Sequence, residues 1–388
     1  MRAYLIAGEA SGDRLGGGLM RALSGMVQVD FAGIGGREMM AAGLDPLFPM
    51  EDLSVMGVTE VLPRLPHLLA RMRQTVRDIV ARRPDVLISI DSPDFTLRVA
   101  QKAGRELPDL AVVHYVAPSV WAWRPGRAVK MARHVDHVLA LLPFEPAYME
   151  AAGMSCDFVG HPAAARPWPG ATEIAAYRQA HGLERALLLA PGSRAGVVQR
   201  MLPVQIETAR RLGAKGQALS IICPVASAVQ AEVMETLRSL AMPVHALSPD
   251  ASEAERRLAM ASAHAALCTS GTIALEVASL GVPMVVGYRT SRLTAALVRR
   301  LVRVDTATLV NLVTGRKLVP EFLQEQYRPD LLAEALGPLL IDKAAGDVQR
   351  AGFDDAMQLL GRFGPPPDER AARSVLDFLA RRRGVQPP

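Results

Sequence analysis

The chain has 388 residues, half of them apolar, which is more than one ordinary core holds and predicts two domains. No uncharged apolar run reaches the roughly 18 residues of a membrane-spanning helix, and the first apolar run is too short for a secretory signal. The three cysteines lack paired spacing, which argues against disulfides and favours a reducing cytoplasm. A net charge of +5 with 5% aromatic residues favours anionic lipids or phosphorylated ligands over nucleic acid.

Short apolar strands alternate with helices along the first part of the chain. The pattern predicts strands at 3–7, 29–34, 86–90, 111–116 and 138–142, and helices at 13–23, 65–81, 95–104 and 125–133. Prolines and glycines between residues 160 and 170 predict a linker. We therefore place a first domain at residues 1–165.

A second series of the same kind follows the linker. Strands are predicted at 186–189, 218–223, 244–247, 265–268 and 284–286, and an amphipathic helix at 368–383 follows three consecutive prolines. Buried strands joined by helices are typical of parallel sheets covered on both faces. The predicted fold class is α/β, with two doubly wound, Rossmann-like domains facing across a cleft. The second domain is placed at 166–365, and the C-terminal helix (366–388) is expected to pack back on the first.

The opening stretch LIAGEASGD places a glycine-bracketed turn between the first strand and the first helix. Gly8 and Gly12 permit unusual backbone conformations and close approach of a ligand, and Ser11 or Asp13 can cap the helix. A capped turn explains the pattern about as well as a binding site does, and Glu9 favours the site because a capping turn needs no charge. The dinucleotide fingerprint G-x-G-x-x-G is not met.

An aspartate follows the third strand in the stretch LISIDSPDF. Asp91 stands where the apolar residues end, so its carboxylate would be partly removed from water, which suits a general base. The alternative is a turn in which an aspartate bonds to the local backbone. We assign capping of the helix from Phe95 to Asp94, and chemistry to Asp91.

The stretch HYVAPSVWAWRPGR, at the end of the fourth strand, is interpreted as an aromatic loop that ends in arginines. Such aromatics either pack the loop down or line a wall that binds sugar or lipid, and the sequence leaves both open. The candidates for a binding wall are His114, Trp121, Trp123 and Arg124.

Two turns in the second series combine small residues with the start of a helix. Helix N-terminal amides bind phosphate, and an arginine guanidinium can hold a diphosphate with two hydrogen bonds. Glu276 can accept both hydroxyls of a ribose, or merely interact with the helix dipole. The nucleotide candidates are Gly192, Ser193, Arg194, Ser270, Gly271, Thr272 and Glu276. No D-x-D, H-E-x-x-H, Cys/His cluster or Walker loop is present, so neither a metal nor a cofactor is expected.

Several motifs resemble the lipid-A-disaccharide synthase family, in order and over nearly the whole chain: AGEASGD, DSPDF, HYVAPSVWAWR, LPFE, GHP, PGSR, SGTIALE and VPMVVGYR. The resemblance implies a GT-B fold and an inverting transfer from UDP-2,3-diacylglucosamine to 2,3-diacylglucosamine 1-phosphate, which releases UDP and makes a β-1,6 disaccharide for lipid A. It implies Asp91 as the base, and helix amides near 270–272 with Arg194 holding the diphosphate. A UDP-sugar 2-epimerase, or another GT-B UDP-sugar transferase, is the alternative enzyme, and a nucleotide sensor at the membrane surface is the non-enzymatic one.

The resemblance also implies a peripheral enzyme that acts at the inner face of the cytoplasmic membrane. Members of the family can form dimers. Two basic amphipathic segments, 62–83 and 291–304, could lie on anionic lipid, although a core helix with a solvated arginine face is the commoner explanation. The chain departs from the family pattern at Thr96, where asparagine is frequent, at Val197, where an acid is frequent, and at Ala163, Ala164 and Ala165 after the GHP motif.

Overall fold

The computed structural model describes residues 1–53, 58–214, 218–291, 295 and 304–384, with the side chains of the third helix described from residue 64 onward. The chain divides into two compact units. Unit 1 comprises Met1–Pro162 and the residues from Phe363 onward, and unit 2 comprises Ala163–Arg362.

Unit 1 contains a six-stranded parallel sheet in the order β2-β1-β3-β4-β5-β6. Its strands are β1 (Arg2–Ala7), β2 (Asp30–Ile34), β3 (Val86–Ile90), β4 (Ala111–Tyr115), β5 (His137–Ala140) and β6 (Ser155–Phe158). Its described helices up to residue 162 are α1 (Ala10–Met26), α2 (Arg37–Ala41), α3 (Val58–Arg82), α4 (Pro93–Glu106), α5 (Gly126–Met131) and α6 (Glu145–Glu150). Helix α7 (Pro162–Ala165) begins at the last residue of this part of unit 1 and continues into unit 2. The central strands β3 and β4 are buried along their whole length, as expected where helices cover both faces.

Unit 2 contains a second six-stranded parallel sheet in the order β12-β11-β10-β7-β8-β9. Its strands are β7 (Ala186–Ala190), β8 (Ser220–Pro224), β9 (Val244–Leu247), β10 (Ala265–Thr269), β11 (Met284–Tyr288) and β12 (Glu321–Leu323). Its described helices after α7 are α8 (Ala171–Ala180), α9 (Ala195–Gly213), α10 (Gln230–Leu237), α11 (Glu253–Ala261), α12 (Thr272–Ser279), α13 (Leu309–Thr314), α14 (Pro329–Ile341) and α15 (Asp347–Leu359).

The chain returns to unit 1 at its C-terminal end through α16 (Pro367–Arg383). The ring of His137, in β5, stacks on Phe378, and its Nε2 lies 2.7 Å from Ser374 Oγ. The Ser374 hydroxyl donates to Asp157 at 2.6 Å. Burial lowers the pKa of His137 to about 4, so the neutral imidazole is part of the packed contact. Residues 385–388 lie outside the described residues.

The predicted α/β class with two doubly wound parallel sheets is confirmed, but each sheet has one strand more than the five predicted. The additional strands, β6 and β12, are short and lie at sheet edges, where half-buried residues leave no long apolar run. The order of each sheet reverses once near its first strand, between β1 and β3 in unit 1 and between β7 and β10 in unit 2. Ligands of doubly wound sheets bind outside the carboxyl ends of the strands at this switch point.

Candidate active site

The turn after β1 lies directly beside the turn after β3. The two strands pair in parallel with Ala7 opposite Ile90, so the chain leaves the sheet at the same edge in both places. A Cβ atom on Gly8 would lie 2.7 Å from Ser92 Oγ and 3.0 Å from Ser92 Cβ, so the two turns pack closely against each other. The structure thus brings the opening turn next to Asp91, at the switch point of unit 1.

Asp91 is held in a backbone conformation that is uncommon outside glycine. Asp91 and Ser92 have φ values of 47° and 44°. The Asp91 N–H donates to the Tyr115 carbonyl oxygen at 3.0 Å, and the buried Thr96 hydroxyl donates to the Asp91 carbonyl oxygen at 2.8 Å. Strained conformations of this kind persist where surrounding contacts impose them, and they cluster at functional sites. The main chain on both sides of the Asp91 carboxylate is therefore fixed.

The prediction that Asp94 caps the following helix is wrong. Helix α4 begins at Pro93, two residues earlier than predicted, with Ser92 at the N-cap and no side-chain cap bond. Proline is favoured there because the first N–H groups of a helix have no intrahelical acceptor. Asp94 is exposed in the first turn, where a negative charge interacts favourably with the helix dipole.

Asp13 has a different role from the one predicted. No side chain caps α1, whose N-cap residue is Glu9, so the prediction that Ser11 or Asp13 caps this helix is wrong. The buried carboxylate of Asp13 instead accepts three backbone N–H groups at the start of α2, those of Gly36, Glu38 and Met39, at 2.7–3.0 Å. Asp13 and Gly12 are thus buried, while Glu9 is half-buried and Ser11 is exposed at the start of α1.

His114 lies in β4, within the strand predicted at 111–116, and not in the aromatic loop that follows it. Only 1% of its surface is exposed, and its Nδ1 lies 2.7 Å from Ser89 Oγ on the neighbouring strand β3. Burial lowers the pKa of His114 to about 4, and the positive charge of Arg127 lowers it further. His114 is therefore a neutral residue packed within the sheet, which corrects its predicted place on a binding wall.

The aromatic loop between β4 and α5 carries half-buried tryptophans and an exposed arginine. Trp121 Nε1 donates to Glu145 at 3.2 Å, and the Arg124 guanidinium lies 4.3 Å from the centre of the Trp123 ring. Val116, at the start of the loop, has a φ of 81°, and Arg124 has one of 52°. Of the six non-glycine residues with positive φ in the described part of the chain, four lie in the turns after β3 and β4.

The two predicted phosphate turns of unit 2 also lie side by side. Strand β7 pairs with β10, with Ala190 opposite Cys268, and a Cβ atom on Gly192 would lie 3.8 Å from Thr269 Oγ1. Gly192 and Gly271 have φ values of 104° and 143°, and they belong to the turns that lead into α9 and α12. Neither helix has a side-chain cap, so their first N–H groups remain available to an anion.

Exposure differs among the side chains of these turns. Ser193, Arg194 and Thr272 are exposed, whereas the Ser270 hydroxyl donates to the Ala307 carbonyl oxygen at 2.7 Å. Ser270 therefore ties the turn after β10 to the segment that precedes α13. Val197, where the family often has an acid, packs beside Gly192. A Cβ atom added to Gly192 would lie 3.1 Å from Val197 Cγ1.

Glu276 forms ion pairs that the sequence did not predict. Its Oε1 lies 3.4 Å from a guanidinium nitrogen of Arg166 and 3.4 Å from one of Arg256, and its side chain is 19% exposed. Arg166 also pairs with Glu253 at 2.6 Å. Both arginines approach Oε1, and Oε2 is the carboxylate oxygen that can accept a hydroxyl hydrogen.

Two carboxylates, the half-buried Glu321 and the buried Glu145, were not singled out from the sequence. Glu321 accepts hydrogen bonds from the Thr306 hydroxyl and from the N–H groups of Ala307 and Thr308, so it fixes the segment that Ser270 contacts. Glu145 is the second. Glu321 belongs to no motif. Glu145 belongs to the LPFE motif, to which the sequence analysis assigned no role. The role of each carboxylate depends on hydrogen-bond donors that only the structure identifies.

Within the described ranges, no group of three or more His, Cys, Asp and Glu side chains is arranged to hold a metal ion. The helices in those ranges include none that is both long and apolar enough to cross a bilayer.

Comparison with known proteins identifies the family. The family described as Lipid-A-disaccharide synthetase matches residues 3–365. The lipid-A-disaccharide synthase of Ruegeria pomeroyi is 46% identical over 387 residues, covering 98% of this chain and 96% of the relative, and that of Rhodospirillum centenum is 44% identical over 384 residues, covering 98% and 95%.

Solved structures agree with the fold. A UDP-N-acetylglucosamine 2-epimerase from Listeria monocytogenes aligns over 100% of this chain and 97% of its own, with a TM-score of 0.65 and 12% identity. One from Neisseria meningitidis, bound to UDP-GlcNAc, covers 98% and 100% with a TM-score of 0.62 and 13% identity. At such identities the likeness shows the shared GT-B architecture alone. The sequence relatives decide the assignment, and the chain belongs to the lipid-A-disaccharide synthetase family of glycosyltransferases.

Proposed function

We propose that the chain joins UDP-2,3-diacylglucosamine to 2,3-diacylglucosamine 1-phosphate, forming the β-1,6-linked lipid A disaccharide 1-phosphate and releasing UDP. The observation that carries the site assignment is the placement of Asp91 beside the Gly8 turn at the switch point of unit 1. Unit 1 binds the acceptor in this proposal, and unit 2 binds the donor.

Asp91 acts as the general base. The 6-hydroxyl of the acceptor is a poor nucleophile, so its proton passes to the Asp91 carboxylate as its oxygen attacks the anomeric carbon of the donor sugar. The bond from that carbon to UDP breaks, and its electron pair leaves on the phosphate oxygen. Attack from the face opposite UDP inverts the anomeric configuration, which gives the β linkage. The half-buried side chain and the rigid turn support this role, because a base must be held at a defined place.

Unit 2 stabilises the departing UDP without a metal ion in this proposal. The uncapped N-termini of α9 and α12 and the exposed Arg194 provide donors for the diphosphate oxygens, whose negative charge grows as the bond breaks. Glu276, held by Arg166 and Arg256 through one oxygen, accepts ribose hydroxyls through the other. EDTA should leave the rate unchanged.

The rate test replaces Asp91 with asparagine, which keeps the size of the side chain and removes the base. We expect Asp91→Asn to lower kcat about a thousandfold, within the usual range for a general base, while the Kd for UDP changes less than twofold. Release of UDP and formation of disaccharide phosphate are measured with both acylated substrates. The matched control is Asp94→Asn, which removes an exposed carboxylate from the first turn of α4. Equal rates for wild type and Asp91→Asn would remove Asp91 from the mechanism.

The N-terminal half of α3 is the proposed contact with the membrane surface. Arg64, Leu65 and His67 are exposed, whereas Met72 and Ile79, further along the helix, are buried in the core of unit 1. Among the described side chains of the helix, those at 64–67 thus offer an exposed apolar and basic surface to anionic lipid. The other candidate segment, 291–304, lies outside the described residues except for Ser291, Ala295 and Val304.

Vesicle co-sedimentation tests this contact. We expect binding to vesicles that contain anionic lipid to weaken as salt rises, because the electrostatic attraction is screened, and to be weak for neutral vesicles at any salt. Leu65→Glu should lower the bound fraction at every salt concentration. Binding that is indifferent to both salt and lipid charge contradicts the proposal.

A further inference from the structure

The LPFE stretch, which has no part in the proposed chemistry, holds Trp121 from two sides. Trp121 Nε1 donates to Glu145 Oε1 at 3.2 Å, and the indole meets the Phe144 ring edge to face, with ring centres 5.4 Å apart. Trp121 lies in the aromatic loop after β4, and Phe144 and Glu145 lie in the connection after β5. Because β4 and β5 are neighbours, this contact joins two loops at the carboxyl edge of the sheet.

Burying the Glu145 carboxylate in this position is energetically unfavourable. Only 3% of its surface is exposed, and within the described residues it forms no ion pair. Its second carboxylate oxygen accepts the N–H groups of Leu142 at 3.0 Å and Leu141 at 3.2 Å. A buried carboxylate without a cation is unfavourable, and an apolar residue would fill the same space at a lower cost. Packing alone therefore does not explain a glutamate here, whereas its three neutral donors are all held in place by it.

The loop that Glu145 anchors begins next to Asp91, the proposed base. The Tyr115 carbonyl oxygen, at the end of β4, accepts the N–H of Asp91. The next residue, Val116, has a φ of 81°, which a β-branched side chain rarely adopts. Further along, the loop carries Trp123 and the exposed Arg124. A loop that starts in a strained conformation needs an anchor at its other end, and the contact with Trp121 supplies one.

We propose that Glu145 is a positioning residue for the acceptor: by holding Trp121 it sets the place of Trp123 and Arg124 in the loop that begins beside Asp91. This inference rests on the proposed function, in which the aromatic loop belongs to the acceptor side. Glu145 touches no substrate, so its effect is confined to how well the acceptor is bound and aligned, and the nucleotide site of unit 2 is unaffected.

The experiment combines Glu145→Gln, Trp121→Phe and the double variant. Glutamine keeps the size of the side chain but turns an N–H group toward one of three N–H donors, and phenylalanine keeps an aromatic ring near Phe144 but lacks the donor. We expect each single variant to raise the acceptor Kd and KM about tenfold, the usual effect of losing a buried hydrogen bond. The Kd for UDP should change less than twofold, and the double variant should be no worse than either single one. Glu150→Gln, which neutralises an exposed carboxylate of the same helix, should match wild type.

The outcomes separate the inference from the function on which it rests. Equal acceptor affinity in wild type and both single variants, measured by calorimetry, overturns the inference. So do effects that multiply in the double variant, because they indicate that the two side chains act independently. A parallel loss of UDP affinity also overturns it, because that loss indicates general damage to the fold. If Glu145→Gln does not fold, the acceptor affinity of Trp121→Phe alone tests the inference. An acceptor that fails to bind even the wild-type protein overturns the proposed function and this inference together.

Discussion

The two units build the turns after their central strands in opposite ways. In unit 1 the turns after β3 and β4 use Asp91, Ser92 and Val116 at positive φ, where a side chain is strained. In unit 2 the turns after β7 and β10 use Gly192 and Gly271 at positive φ, where no side chain exists to be strained. Under the proposed function, the difference follows from what each turn offers. A base is a side chain and must be carried through the strain, whereas a diphosphate is bound by main-chain amides, which glycine exposes best.

Glu145 of unit 1 and Glu276 of unit 2 are held by different kinds of donor. Within the described residues, the groups that donate to Glu145, and to Asp13 of the same unit, are neutral N–H groups. In unit 2, Glu276 is paired with Arg166 and Arg256. Neutral donors orient the Glu145 carboxylate without fully compensating the loss of water, so we expect Glu145 to respond strongly to pH.

The largest expected effect concerns Glu145 and sharpens this contrast. Burial raises the pKa of Glu145 to about 7, although the hydrogen bonds from Leu142, Trp121 and Leu141 oppose the shift. A raised native pKa gives stability that is complete below the unfolded value and is lost as the pH rises through 7. Because Glu145→Gln does not titrate, its stability relative to wild type should increase by about 2.5 kcal/mol between pH 5 and pH 8.

Chemical unfolding in a Trp168→Phe background measures this difference. The two remaining tryptophans, Trp121 and Trp123, both belong to unit 1, so fluorescence then follows that unit alone. Glu150→Gln serves as the control, since its exposed carboxylate should leave the pH dependence unchanged. A stability difference that is constant with pH would show that Glu145 titrates as an ordinary carboxylate.

A smaller effect is expected from Gly192→Ala, which tests the reliance of unit 2 on glycine. At a φ of 104°, a Cβ atom is strained, and it would also lie 3.1 Å from Val197 Cγ1. The turn should shift and its amides lose alignment with the diphosphate, so we expect UDP to bind about tenfold more weakly, in line with a strain of 1–3 kcal/mol. Gly337→Ala, in α14, meets no atom within 4 Å and should bind UDP as wild type does. Unchanged affinity in Gly192→Ala would break the comparison on the side of unit 2.

Much of the frame that positions these turns could be predicted from the sequence. Apolar runs located every central strand, and the rule that ligands bind beyond strand ends singled out Asp91, Gly192 and the 270–272 turn. What could not be predicted depends on distant partners. The Asp13 carboxylate accepts N–H groups more than twenty residues away, and Glu145 is buried by a tryptophan 24 residues earlier in the chain. Neither relation leaves a local pattern, and which side chains touch the substrates stays a prediction.

The smallest effect is expected at Thr96, one of the departures from the family pattern. Its buried hydroxyl donates to the carbonyl oxygens of Asp91 and Ser92, at 2.8 and 3.2 Å, so it braces the two strained residues of the turn. Thr96→Val keeps the shape of the side chain and removes both bonds. We expect kcat to fall about fivefold, the cost of about 1 kcal/mol for one hydrogen bond, with UDP affinity unchanged.

Two variants decide whether Thr96 acts on the base or only on the fold. Thr75→Val removes a buried hydroxyl that donates to a carbonyl oxygen four residues earlier in α3, so its effect on stability should be similar while kcat is kept. Thr96→Ser retains the donor and should recover most of the rate. If Thr75→Val and Thr96→Val lower kcat alike, strain in the turn has no special link to the base. If only Thr96→Val does, the strained conformation of Asp91 is part of what makes it effective, and the two units differ because their chemistry requires it.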